Sequence, residues 1–157
     1  MAKILWGKPK ITITNVTGSG VTSQALDVPT PVINTTQLTT ERGEKHTADV
    51  EGGGNEATRY DRGSHTFEFE VRFAAGRVMP LQDQCKDTVI AGTYKIELED
   101  PEDPTAPKMT IHECTGSYED LLNADDGARR HYYFDTQIPA DGGDQISWGN
   151  TGNVGAA

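Results

Sequence analysis

Over residues 66–73 the chain reads TFEFEVRF, with Phe67, Phe69, Val71 and Phe73 alternating with Glu68, Glu70 and Arg72. Successive side chains of a strand point to opposite faces, so this spacing puts four apolar groups on one side and three charges on the other. Such a ribbon needs a core on one face and water on the other, which antiparallel sheets supply. The same period returns over residues 8–14, where Ile11 and Ile13 sit between Lys10, Thr12 and Thr14. It returns again over 93–99, where Tyr94, Ile96 and Leu98 alternate with Lys95, Glu97 and Glu99. All three segments read as strands, and Phe67, Phe69, Val71 and Phe73 as core.

Five further segments, 25–34, 44–51, 56–60, 108–118 and 129–138, are bounded by Gly, Pro, Asn or Asp clusters and read as strands of weaker pattern. About eight strands then account for the chain. Pro29 and Pro31 cannot both donate to a central ladder, which makes 25–34 an edge strand or an extended arm. Residues 78–87, VMPLQDQCKD, lack the two-residue period. Pro80 suits a first helical turn and Leu81 and Cys85 are spaced i, i+4, so a short helix flanking the sheet is expected, with Gly92 as the stop before the next strand. Gly52, Gly53 and Gly54 join two polar segments and predict a mobile hairpin tip. The runs EDPEDPTAP (99–107) and NADDG (123–127) read as surface turns. The expectation is one domain over 1–157, with a flexible N-terminal arm over about 1–7 and a tail over about 149–157. Its class is mainly β, a sandwich or barrel with one short flanking helix.

A chain of 157 residues can hold a genuine core, but with 34% hydrophobic residues that core is modest and much of the chain runs as solvated or partner-covered loop. The formal charge of -10 weighs against a nucleic-acid binder, because phosphate affinity comes from Lys and Arg displacing counterions. An acidic surface keeps a protein soluble, and it also suits a wall past which DNA slides without sticking. Cys85 and Cys114 form neither a CxxC pair nor a disulfide framework and read as reduced, packed thiols. The opening MAKILWGKPK lacks the apolar run of a signal peptide, and no window is long enough to cross a bilayer, so a cytoplasmic setting is expected. Asn15-Val16-Thr17 and Asn34-Thr35-Thr36 match the glycosylation sequon and are read as polar strand-edge residues.

His112-Glu113-Cys114 has the composition of a ligand cluster, yet on a strand only His112 and Cys114 would share a face, and further ligands are lacking. His46, His65 and His131 are scattered over other segments. Cys85 or Cys114 with His131 and Asp135 would make a nucleophilic triad only if folding assembled it, and no Gly-rich elbow marks a nucleophile. Asp125, Asp126, Asp141 and Asp144 lack the spacing of a calcium loop, and glycines 52–54 lack the ending of a phosphate loop. No catalytic residue, metal ligand or cofactor is assigned, and an enzyme is not expected.

WGKPKITI at 6–13, LTTERGEKHTADVEGGGNEATRY at 38–60 and the phenylalanine strand together resemble the tail tube (major tail) proteins of long-tailed phages and prophages, in particular a group from phages of Bacteroides-like bacteria. PEDPTAPKMTI at 101–111, HYYFDTQIP at 131–139 and GGDQISWG at 142–149 are similar to the closing elements of that group, while 117–130 departs from it. The resemblance implies a β-sandwich or barrel subunit forming homo-hexameric rings that stack into a hollow tube. It further implies a place in the virion tail after assembly in the host cytoplasm, with other tail proteins as partners and DNA passing through the lumen without tight binding. No cofactor and no membrane are implied. On that picture Glu68, Glu70, Glu97 and Glu99 are candidates for the channel wall, although alternation does not choose between lumen and outer solvent. The polar hairpin over 44–60, with Glu44, Glu51, Gly52, Gly53, Gly54, Asn55 and Glu56, is the candidate ring-to-ring contact together with the two termini. Two other readings stand beside it. One is another virion component, such as a tail terminator, decoration or baseplate protein. The other is a carbohydrate-binding β-sandwich that stacks sugars on Trp6, Trp148 and Tyr132 or Tyr133.

Overall fold

The computed structural model describes residues 2–6, 9–16, 26–27, 31–32 and 35–152, and the fold is mainly β, of the sandwich or barrel class. Among the described residues the strands are β1 (Lys10–Asn15), β2 (Leu26–Asp27), β3 (Gln37–Glu41), β4 (Lys45–Asp49), β5 (Asn55–Tyr60), β6 (Ser64–Arg72), β7 (Cys85–Lys86), β8 (Val89–Glu99), β9 (Lys108–Asn123), β10 (Gly127–Thr136) and β11 (Ile146–Gly149). Nine of them join one antiparallel sheet in the order β2-β1-β8-β9-β10-β6-β3, with β11 on β9 and β7 on β8, while β4 and β5 pair apart from it.

The period-2 pattern decides which face is dry. Phe67, Phe69 and Val71 are fully buried, and β10 supplies Phe134 and Tyr132 opposite the two phenylalanines. Phe69 stacks on Tyr132 with ring centroids 5.0 Å apart and on Phe134 at 5.9 Å. Ile11 and Ile13 from β1, Tyr94, Ile96 and Leu98 from β8, and Met109, Ile111 and Cys114 from β9 belong to the same cluster, with Met79, Leu81 and Leu5 packed in from the connections. Burying each large apolar side chain contributes about 1.5–3 kcal/mol. Gly116 faces these rings, and a Cβ there would lie 2.9 Å from the Phe134 ring and 3.1 Å from Ile90.

Two irregularities interrupt the β8–β9 ladder, between Ile90 and Tyr94 and between Tyr94 and Ile96. Bulges of this kind bend a strand and increase its twist, which helps a sheet wrap its own core. The second bulge also changes the parity of β9, so Ile111 and Cys114 both enter the core. Gly92, expected as a stop before the strand, lies inside β8 at φ 104, where the first bulge needs a left-handed backbone.

Two further expectations are corrected. Phe73 lies just past the end of β6 and is 40% exposed: its N–H still donates to the Ala128 carbonyl at 3.1 Å, but its ring stands beside the Arg130 guanidinium at the rim of the core face and not among the buried aromatics. The helix expected over 78–87 is a single 3-10 turn, Gln82–Gln84, since Leu81 at φ 56 and the extended Cys85 bracket it and prevent propagation. Met79 and Leu81 are buried even so. Of the strand expected over 25–34, Leu26–Asp27 pairs with β1 at the sheet edge. Pro29 and Asn34 lie outside the described residues, as do Thr17, residues 1 and 7 of the expected arm and residues 153–157 of the expected tail.

β3 pairs with β6 and β4 pairs with β5, so residues 37–72 form one long hairpin broken between its two halves. The break is a backbone pinch. A Cβ on Gly43 would lie 1.9 Å from the Asp61 carbonyl oxygen, and one on Gly63 would lie 2.5 Å from that of Glu41. Three hydrogen bonds hold the pinch to the loop before β11. Arg62 donates to the carbonyls of Gly142 (3.2 Å) and Gly143 (2.6 Å), and Gln145 donates to that of Gly63 (3.0 Å). Beyond the pinch, every β4 and β5 residue except His46 is exposed.

Candidate functional site

The face of the sheet turned away from the core carries all four glutamates singled out above. Cross-strand register sets Glu70 opposite His131 and Glu68 opposite Tyr133. Glu70 accepts from His131 Nδ1 at 2.8 Å and pairs with Arg129 Nε at 3.1 Å. Glu68 accepts a hydrogen bond from Gln37 and lies 3.8 Å from His131 Nε2. The Glu68, Glu70, Arg129 and His131 side chains are only 13–16% exposed, so they form a packed polar layer and not a row of solvated carboxylates. The Tyr133 ring lies against His131, and its hydroxyl donates to Glu119 at 2.6 Å, a bond that pushes the phenol up to about 12. His131 Nε2 and Arg129 Nη1 are buried there without a hydrogen-bond partner.

Glu97 and Glu99 sit on β8, separated from β6 by β9 and β10. Glu97 is 3.5 Å from Lys95, and Glu99 lies between Lys108 (3.4 Å) and Lys10 (3.9 Å). Each of the four glutamates is thus close to a basic side chain or an amide. Arg129, His131, Tyr133 and Glu119 were missed as partners because only the β6–β10–β9 register brings them to Glu68 and Glu70.

Arg130 occupies the opposite face and is buried. It bonds Asp120 at 2.7 Å and Gln82 at 2.9 Å, and its guanidinium stands 4.4 Å from the Tyr118 ring centroid and 5.2 Å from that of Phe73. The arrangement fastens the loop before β7 to the sheet.

The candidate chemistry does not assemble. Cys114 is fully buried with its thiol donating to the Tyr94 carbonyl, and burial pushes that thiol up to about 12. His131 lies on the other face, and Asp135 accepts from Thr66. Burial likewise raises the Cys85 thiol above its ordinary value. His112 lies 2.6 Å from the Ser147 hydroxyl and, because of the bulge, turns away from Cys114. Asp126 belongs to the β9–β10 turn and Asp141 caps Gly143, so the two aspartate pairs serve separate loops. A cleft of about 370 Å³ is lined by His112, Glu113, Asp141 and Asp144, and one of about 400 Å³ lies at the hairpin pinch beside Thr40, Tyr60, Asp61 and His65. Beside the second cleft, the ligand atoms of Glu44, His46 and Asp61 lie within 4.8 Å of one another.

No model of a known protein family and no curated protein matches this chain. Its own geometry therefore carries the functional reading. Among the described residues no helix is long and apolar enough to cross a membrane.

Proposed function

We propose that the chain is a non-enzymatic structural subunit of a phage-type tail tube, forming hexameric rings that stack around a lumen for DNA. The observation that carries this reading is the β4–β5 ribbon, which extends past the pinch with almost every residue exposed. A two-stranded ribbon without a core is marginal in water, so it calls for a surface on another subunit. Sheet edges support the same reading. β3 pairs only with β6 among the described residues, and β2 closes the other end of the sheet with a two-residue strand. Lateral pairing in a ring covers such edges.

The glutamate-bearing face is the proposed channel wall. Because Glu70, Glu97 and Glu99 are matched by Arg129, Lys95, Lys108 and Lys10, the wall presents nearly balanced charge, along which DNA is neither gripped nor strongly repelled. The tube works in the virion tail beside other tail proteins after assembly in the host cytoplasm. Electron microscopy of the purified protein tests the proposal: rings or hollow tubes are expected, and deletion of Gly52 to Asn55 should reduce stacking while leaving the fold intact. A persistent monomer at high concentration overturns it, and rings that never stack favour a terminator, decoration or baseplate protein.

A specific observation favours a second reading, a carbohydrate-binding module. Trp6 and Trp148 are 77% and 51% exposed, and the segments carrying them are both tied to one loop, by Lys3 to Thr105 and by Asn150 to the Pro104 carbonyl. Tyr132 drops out of that platform, since it is buried and donates its hydroxyl to the Pro80 carbonyl. A glycan-dependent change in tryptophan fluorescence from a monomeric protein would support this alternative.

A further inference from the structure

We infer that Glu44, His46 and Asp61 form a site for a divalent transition-metal cation of the zinc type at the base of the β4–β5 ribbon. His46 Nε2 lies 2.8 Å from Asp61 Oδ2 and 4.0 Å from Glu44 Oε2, so one imidazole nitrogen and two carboxylate oxygens converge from the two sides of the pinch. The backbone sets this convergence. The Asp61 N–H donates to the Glu44 carbonyl at 2.9 Å, and Gly43 packs directly on the Asp61 carbonyl, so the Cα positions of Glu44 and Asp61 cannot drift apart without breaking the pinch. The three side chains remain open to water, His46 at 42%, Asp61 at 48% and Glu44 at 77% exposure, so a cation can reach them.

Electrostatics points the same way. Among the described residues no Lys or Arg forms an ion pair with Glu44 or Asp61, although both carboxylates are drawn to a single histidine. Two carboxylates held together without a cationic partner repel each other, and a divalent cation reverses the sign of that interaction. An imidazole in the donor set selects zinc and its neighbours over calcium and magnesium, which prefer all-oxygen shells. Three protein ligands leave a further position for water or for a donor from another molecule. The two clusters legible in the sequence, at 112–114 and at the aspartate loops, lack this convergence.

A bound cation would tie both strands of the ribbon to the pinch, setting the direction in which the ribbon leaves the sheet. Metal binding by the purified chain does not depend on the tail-tube reading, so either can fail alone. The test is competition between the protein and a chromophoric chelator for zinc chloride, run on the wild type and on His46→Ala and Asp61→Asn. The expected result is one site per chain, weakened at least about tenfold in each variant, a loss of about 1.4 kcal/mol or more in affinity. Limited proteolysis should show zinc protecting the β4–β5 segment in the wild type and not in His46→Ala. No binding, or equal binding by wild type and His46→Ala, would overturn the site. Displacement of zinc by equimolar calcium would also overturn it, as that marks loose carboxylate binding.

Discussion

Arg130 grips Asp120 at two points across β9 and β10, with Nε 2.7 Å from one carboxylate oxygen and Nη2 3.3 Å from the other. Arg130 is buried while Asp120 is half-exposed, so the two ends of this pair differ in what they contribute. The guanidinium packs between the Tyr118 and Phe73 rings and also holds Gln82, whereas the carboxylate retains water. Arg130→Met should therefore cost about 2–4 kcal/mol by losing stacked area and three bonded contacts. Asp120→Asn should cost about 1 kcal/mol. Urea unfolding of the two variants measures the difference, and equal losses would show that the ion pair, not the ring stacking, holds the loop.

The pinch predicts an asymmetry among glycines. Gly43→Ala must displace the Asp61 carbonyl and should lower stability by about 3 kcal/mol or more, since nothing rigid can give way at 1.9 Å. Gly52→Ala meets no atom within 4 Å and pays only for its left-handed backbone at φ 91, about 1–2 kcal/mol and confined to the tip. Hydrogen exchange across β3 to β6 distinguishes a lost pinch from a frayed tip.

Gly116 is fixed by packing, as its backbone faces the Phe134 ring. Gly116→Ala should destabilise the fold by about 1–3 kcal/mol through overpacking, and Phe134→Leu should recover part of that loss by opening room at the same spot. A double-mutant cycle checks the coupling. Additive effects would place the Gly116 requirement elsewhere.

Alkaline pH should weaken the fold. Cys114 titrates at about 12 in the folded protein against an ordinary 9.0, because burial disfavours the thiolate, and burial raises Tyr132 as well. Over pH 9–12 the unfolded chain has released protons that the folded chain still holds, so stability is full below pH 9 and falls as pH rises toward 12. The urea midpoint should drop over that window, and Cys114→Ala should shallow the early part of the drop. Ellman's reagent should label Cys85 faster than Cys114 in the native protein.

Charge reversal on the glutamate face separates structure from transport. Glu70→Lys would set a cation against Arg129 Nε, now 3.1 Å away, and His131, so it should impair folding and report little about DNA passage. The pair Glu68→Lys with Glu70→Lys carries the same burden. Glu97→Lys with Glu99→Lys acts on more exposed groups and should leave the melting temperature within a few degrees; the tail-tube proposal further requires that it slow DNA delivery by tails assembled from the variant. Unchanged delivery from normally assembled tails would overturn the proposed placement of this face on a channel wall.

The strands with clean alternation were legible in the sequence because a two-residue period needs nothing beyond the chain itself. The dry face of β6, the Ile11 and Ile13 pair of β1 and the Tyr94, Ile96 and Leu98 series of β8 all follow from it. The limits of that reading have equally physical causes. Phe73 obeys the period yet is 40% exposed because it reaches the rim of the core face, where its neighbour is the Arg130 guanidinium, and the expected helix over 78–87 yields to a left-handed residue at Leu81. β3 and β11 carry too little pattern of their own and exist because β6 and β9 offer them edges.

Sequence alone determined that this chain would be an antiparallel β protein with a carboxylate-bearing face and a glycine-tipped hairpin, since these depend on side-chain period and backbone freedom. Tertiary structure decided which charges meet. Pairing of β6 with the distant β10 put Arg129 and His131 on Glu70, while hairpin register put Asp120 on Arg130 and Asp61 on His46. Those contacts depend on register, and register is a property of two strands that neither one encodes by itself.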